Sequence, residues 1–370
     1  MMSLLDLMAN TDELSTLASI VTGSDRALET LGNANNVTVF APTNAAFQTL
    51  METTSLTDLT EDDVAAVLYY HAVSGMIYAE NITTMPMFLN TMLTDSMYTN
   101  VTDGQALGLY MDENDTAIVQ SGYKSRAQVV QADVMFDGGI VHLIDSVNMI
   151  PQDVVSTAIA ANLSYFTGAL IKARLVADVA DLMDVTIFAP SNAAFEDLGD
   201  SLNDVSVEDL ASVLQYHIID GTVAYSSMLS NSTVMTLGGS DVNITVADEG
   251  VFINSARVIN ADVLVSSGVV HIIDSVLNPD SMMMPDLEDE EAQPAFSTAD
   301  GMPAFTSGVP VATTTVSELI TTTLDVTAEE TAATDEEDAS SSDGAAPTAL
   351  SHGAIEMAAL MGGAAFALNW

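Results

Sequence analysis

The chain has 370 residues, 52 acidic and 6 basic, for a formal charge of −46, yet 48% of it is hydrophobic and its mean hydropathy is positive. That charge excludes nucleic acid, whose phosphates need clustered Lys and Arg, and it excludes electrostatic docking on anionic lipid. The lack of cysteine removes disulfides, thiolate nucleophiles and Cys-ligated metal sites, while the apolar fraction requires a buried core.

In chain order, the first thirteen residues hold no basic stretch and no sustained apolar run before Asp6, Asp12 and Glu13. They do not read as a secretory signal, and the natural start is expected upstream. They match instead the opening helix of a domain: LSTLASIV from Leu14 has a counterpart in LSYFTGAL from Leu163. TVFAPTNAAF at 38–47 predicts a strand stopped by Pro42 and a short helix capped by Thr43. Thr60 and Asp63 form a capping signal, after which Val64, Val67, Leu68 and His71 share one helical face. GGIVHLIDSV at 138–147, short, apolar and bounded by glycine, predicts a buried strand.

Each of these motifs returns in the same order. TIFAPSNAAF at 186–195 carries Pro190 and Ser191; Ser206 and Asp209 precede Leu210, Val213, Leu214 and His217; SGVVHIIDSV closes at 267–276. The offsets are 148, 146 and 129 residues. They exceed the roughly 20–50 residues of a solenoid period and fit two tandem copies, the second shorter between its last two motifs. Alternating pieces at 243–246 and 250–253 predict further strands. Helices and strands without a regular βαβ rhythm predict an α+β fold.

The ordered set TVFAPTNAAF, Tyr-His and GGIVHLIDSV, present twice, resembles the fasciclin (FAS1) family. The resemblance covers residues 1–280 and leaves out the tail. It implies β-sheets packed with several helices in each copy. It also implies adhesion or matrix contact, in extracellular or surface-anchored proteins, rather than catalysis. The expected organisation is a fasciclin-like domain over 1–151, a second over 152–280, a disordered acidic stalk over 281–352 and an apolar tail over 353–370. By the same resemblance, Tyr70 with His71 and Tyr216 with His217 are candidate adhesion-contact regions.

The residues themselves favour a structural role for these histidines, since both sit in register with apolar helix positions and a buried imidazole needs partners. His142 and His271 share a strand face with Ile140 and Val269, while Asp145 and Asp274, three residues on, fall on the opposite face. The His-x-x-Asp-Ser run therefore holds the residue types of a hydrolase without its geometry. Nucleophile-elbow, P-loop, dinucleotide and zinc-helix motifs are missing, so no catalytic, cofactor or metal residue is expected. The acidic cluster at 112–115 lacks the pattern of a calcium loop; weak association of divalent cations with the acidic surface is the most it predicts.

Asn-x-Ser/Thr sequons fall at Asn36, Asn81, Asn100, Asn114, Asn162, Asn231 and Asn243. The 19 asparagines would give roughly four such triplets by chance, so seven is a modest excess. Residues 281–370 carry 16 acids and no Lys or Arg and are rich in Ser, Thr and Ala, the composition of a solvated stalk. Beyond it, small residues, a spacer and an apolar end resemble a lipid-anchor (GPI) signal, with attachment bracketed by Ser341, Ser342, Asp343 and Gly344. The leading expectation is a surface-anchored, glycosylated adhesion protein whose partner is a cell-surface or matrix protein or a polysaccharide. The alternative is a structural glycoprotein of a wall or extracellular polymer without a specific receptor.

Overall fold

The computed structural model describes residues 2–296 apart from 33, 54–59, 199–204, 282, 288–292 and 294. The expected stalk beyond 296, the apolar tail and the four candidate anchor residues lie outside the described residues.

The first copy opens with α1 (Leu4–Ala9), α2 (Ser15–Gly23) and α3 (Asp25–Gly32), followed by β1 (Val37–Pro42), α4 (Asn44–Thr53) and α5 (Glu61–Tyr70). Then come β2 (Ala72–Ser74), β3 (Met87–Asn90), β4 (Ala106–Met111), β5 (Ala117–Gln120), β6 (Arg126–Phe136) and β7 (Gly139–Ile144). The second copy follows with α6 (Val154–Ala160), α7 (Ser164–Lys172), α8 (Val176–Ala180), β8 (Val185–Pro190), α9 (Asn192–Glu196) and α10 (Val207–Gln215). It closes with β9 (Ile218–Ile219), β10 (Ser232–Met235), β11 (Asp241–Ala247), β12 (Gly250–Ile253), β13 (Ala256–Val265) and β14 (Gly268–Ile273).

Each copy builds a seven-stranded sheet, ordered β2-β1-β7-β6-β5-β4-β3 in the first and β9-β8-β14-β13-β12-β11-β10 in the second. The α+β expectation and the several helices per copy are met. The two quoted apolar runs of each copy are sequence-distant, yet they pair in parallel as the second and third strands of the sheet: β1 with β7, and β8 with β14. Every residue of these four strands is buried, the signature of strands covered on both faces. Neighbours on β1 serve different cores. Val39 packs with Leu7, Leu14 and Phe47 under the helices, whereas Phe40 packs with Tyr70, Leu107 and Ile144 inside the folded sheet. Period-two alternation on a strand produces this division.

The sheet folds over because β6 and β13 are bulged. Register shifts interrupt their pairing with β7 and β14, and Asp133 (φ 58°) and Asp262 (φ 61°) take left-handed backbone at the break. The fold is latched at its open side by Met92 N–H to Ala72 O (2.8 Å) and by Leu237 N–H to Ile218 O (2.7 Å).

The capping expectations hold. Thr43 and Ser191 accept from Ala46 and Ala194 N–H, and Thr60 with Asp63 forms a full capping box. The motif asparagines add a task that spacing did not reveal. Asn44 accepts from Thr16 N–H (2.9 Å) and Asn192 from Tyr165 N–H (3.1 Å), each tying the start of α2 or α7 to the strand–helix corner. The Tyr-His helices end earlier than expected, the first by one residue and the second by two. α5 stops at Tyr70 and α10 at Gln215, so His71 is the residue after the helix and His217 the second after it.

The copies differ most between β3 and β4, where the first uses fifteen residues (91–105) and the second five (236–240). The β5–β6 turn likewise takes five residues (121–125) against two (254–255). Both additions meet the other copy. Asn100 N–H donates to Ser266 O (2.7 Å), Thr102 N–H to Asp184 (2.7 Å), and Lys124 Nζ to Asn260 Oδ1 (2.7 Å). Gln105, fully buried, donates to Val265 O (3.1 Å) while its Oε1 accepts from Ala106 N–H (2.8 Å). Phe88 stacks on Tyr225 at 4.0 Å between ring centroids, beside Ala106, Leu264 and Val269. Gln105→Ala would strand these buried backbone groups. The expected cost is about 2–3 kcal/mol, with one calorimetric unfolding transition splitting into two as the copies uncouple.

Candidate functional site

The Tyr-His pairs lie inside the protein, with Tyr70, His71, Tyr216 and His217 at 0, 3, 1 and 0% exposure. Each histidine is a clip. His71 Nδ1 lies 2.7 Å from Val67 O on its own helix, and its Nε2 accepts from Asn148 N–H at 2.8 Å. His217 repeats this with Val213 O (2.8 Å) and Leu277 N–H (2.9 Å). The two contacts assign the proton to Nδ1 and require a neutral ring. Burial lowers both pKa values to about 4, only partly offset by the backbone carbonyl. The clip joins the end of the Tyr-His helix to the chain leaving the last strand. Tyr70 donates to Ala106 O (2.9 Å) and Tyr216 to Asp241 O (2.8 Å), tying the same helix ends to β4 and β11.

His142 and His271 form a second equivalent pair. Their rings stack on Phe40 and Phe188, their Nε2 atoms meet Ile77 O (2.8 Å) and Ala224 O (2.9 Å), and Nδ1 accepts from Asp133 or Asp262 N–H. Asp145 and Asp274 instead accept backbone N–H from Gln128 and Arg257, on the other face as expected. Among the described residues every imidazole nitrogen is therefore engaged with backbone. None is free to move a proton for a substrate.

Sequence reading missed the seam between the copies. There Asp262 is buried and accepts from Ser226, and Gln120 donates to its carbonyl at 2.8 Å. Lys124 reaches in from the first copy; its burial pulls its pKa down to about 8, against the opposing pull of Asp262. The signal was present only as the unequal spacing of the two copies. A cleft of about 340 Å³ opens at the seam beside Phe88, Thr102, Asp184 and Tyr225. A larger one, about 450 Å³, lies between α3, α5 and the 91–105 segment, with the Arg26–Asp62 ion pair, Tyr69 and Tyr98 on its walls. Among the described residues no group of three His, Asp or Glu is placed to hold a metal, and no helix is long and apolar enough to cross a membrane. Asp112 serves its own turn, accepting from Asn114 and Thr116 N–H, and these bonds lower its pKa.

The sequons divide by geometry. Asn36, Asn81, Asn114, Asn162 and Asn231 are exposed, whereas Asn100 and Asn243 are half-buried. The Asn100 side-chain amide donates across the seam to Ala180 O, and Asn243 Oδ1 accepts from Thr233.

Comparison with known proteins adds the following. The family model described as "Fasciclin domain" matches residues 12–151 and again 161–279. A "Fasciclin-like arabinogalactan protein" of Arthroderma benhamiae is 34% identical over 314 residues, covering 81% of this chain and 74% of that protein. Human periostin is 26% identical over 261 residues, which is 68% of this chain and 29% of periostin. Among solved structures, a FAS1 domain pair from the insect cell adhesion molecule fasciclin I matches at a TM-score of 0.35 and 19% identity, covering 72% of this chain and 97% of that one.

Proposed function

The chain belongs to the fasciclin-domain family, and on that premise we propose that it is an extracellular or cell-surface protein that makes adhesive or matrix contacts through its paired domains. One observation supports the non-catalytic side of this reading: every described histidine is spent on backbone, so the imidazoles of the motifs that identify the fold build it and none of them is free for acid–base work. The "Cell surface glycolipoprotein MPB83" of Mycobacterium bovis, 36% identical over 145 residues that make up 36% of this chain and 64% of that protein, supports the surface setting by its name. Because the Tyr-His side chains are interior, a partner meeting those regions touches the residues covering them. The two copies, joined by a packed seam, present their faces at a fixed separation, which converts two weak contacts into avidity.

Glycans belong on the five exposed sequons, and the lipid anchor on one of Ser341, Ser342, Asp343 or Gly344. The test is expression of the full transcript in its own host, followed by phosphatidylinositol-specific phospholipase. Release of glycosylated protein, and saturable rebinding of that protein to stripped cells, is the expected result. A cytosolic, unglycosylated product would overturn the surface reading. Release without saturable binding would favour the receptor-free structural glycoprotein.

A further inference from the structure

Methionine and leucine have similar volume and apolarity and exchange in protein cores at small cost. Burial alone should send both inward. Here they separate. Among the described residues 18 leucines are buried, and only Leu237 and Leu287 are among the exposed large hydrophobics; for methionine, Met8 and Met149 are buried and eleven are exposed. Eleven of the 16 exposed large hydrophobic side chains are thus methionines. A sorting this one-sided points to the property that distinguishes the two residues, the thioether. It is polarisable, a soft metal ligand and a two-electron reductant.

Placement selects among those properties. An apolar docking patch needs contiguous area, and a soft-metal site needs thioethers converging on one point. The exposed methionines are spread instead over separate elements of both copies. Met51 lies on α4, Met85 precedes β3, Met135 lies on β6, Met183 precedes β8, and Met235 lies on β10. That spread suits a property each side chain exerts alone. Cysteine, the other sulfur reductant, is absent from the chain, so the thioether is its only side-chain sulfur.

We propose that the exposed methionines form a peroxide-reactive surface, a set of sacrificial modification sites whose substrate is hydrogen peroxide or a small alkyl hydroperoxide. The sulfur lone pair attacks one peroxide oxygen and the O–O bond breaks. A sulfur–oxygen bond forms, sulfur losing two electrons to become the sulfoxide. The departing oxygen gathers the protons and leaves as water, or as the alcohol from an alkyl hydroperoxide. The added polarity is tolerated because these side chains face solvent. Met8 and Met149 lie in the cores, where a sulfoxide would be buried, and the surrounding packing shields them.

The full-length protein is exposed to graded hydrogen peroxide, digested, and its peptides mapped for the gain of one oxygen. Met85, Met228 and Met235, the most exposed at 65, 64 and 65%, are expected to oxidise about tenfold or more faster than Met8 and Met149. The urea midpoint should stay unchanged when the exposed set is fully converted. The variant Met85→Leu/Met228→Leu/Met235→Leu keeps the apolar surface and should consume three fewer equivalents of peroxide at an unchanged midpoint. Equal rates at exposed and buried positions would overturn the proposal. So would unfolding that accompanies oxidation of the exposed set, or undiminished peroxide consumption by the triple variant.

Discussion

Between pH 7.5 and pH 5 the protein is expected to lose about 4 kcal/mol of stability through two side chains, His71 and His217. Both are buried and neutral in the fold, with pKa values lowered to about 4 from 6.5. Above pH 6.5 both folded and unfolded states hold the ring neutral, and the full stability is present. As pH falls below 6.5 the unfolded chain takes up protons that the folded ring refuses. Each ring then costs about 2 kcal/mol at pH 5 and about 3 kcal/mol below pH 4, where the loss levels off. The proton has no place in the fold because Nε2 already accepts from Asn148 or Leu277 N–H. The −46 charge works the other way, since protonating carboxylates relieves repulsion, but ordinary carboxylates titrate near 4 and contribute little until pH falls below 5. Urea midpoints measured from pH 8 to 4 check this; a midpoint flat from 7.5 to 5 would contradict it. His71→Phe/His217→Phe should lower the midpoint at pH 8, because two buried N–H groups lose their acceptor, and flatten the slope below pH 6.5.

Much of this clip is legible in the sequence. The register of His71 with Val67 and His217 with Val213 gave the burial, and the rule that buried polar groups are paired gave the structural role. The partners were not legible. Asn148 and Leu277 supply backbone N–H groups, which carry no residue signature. The same limit hid the partners of the second histidine pair, whose place on an apolar strand face was readable: Asp133 and Asp262 act through main-chain N–H at a bulge, and left-handed aspartate leaves only a faint mark in sequence. The capping residues were readable because a cap is local, three residues from donor to acceptor. The seam was not, since Asn100 and Ser266 are remote in sequence and only the unequal motif offsets hinted at extra chain in the first copy. Local periodicity reveals elements; pairing across copies is set by shape.

Gly268→Ala is expected to unfold the second copy, costing about 4 kcal/mol or more, the range reserved for a forced structural conflict. Gly268 opens β14 opposite Val185, at the first of six parallel-paired positions shared with β8. A methyl there would sit 2.0 Å from Val185 O, and φ is +150°, which L side chains rarely adopt. The obstacle is backbone, so no rotamer relieves it, and the strands must part. Parting them lengthens the Val185 N–H to Ser267 O bond (2.8 Å) and loosens the Ser191 N–H to Ile273 O bond (2.9 Å) at the far end of the ladder. It also withdraws His271 from Phe188, opening the core on which the Tyr216 helix end rests. Gly139→Ala should do the same to the first copy, where the methyl would lie 2.1 Å from Val37 O. Gly239→Ala is the control. It keeps a positive φ of 80° but meets nothing within 4 Å, so backbone strain alone should cost about 1–2 kcal/mol. Denaturant unfolding of the three variants separates close approach from strain. A Gly268→Ala loss no larger than that of Gly239→Ala would mean that the parallel pair can yield to a methyl group.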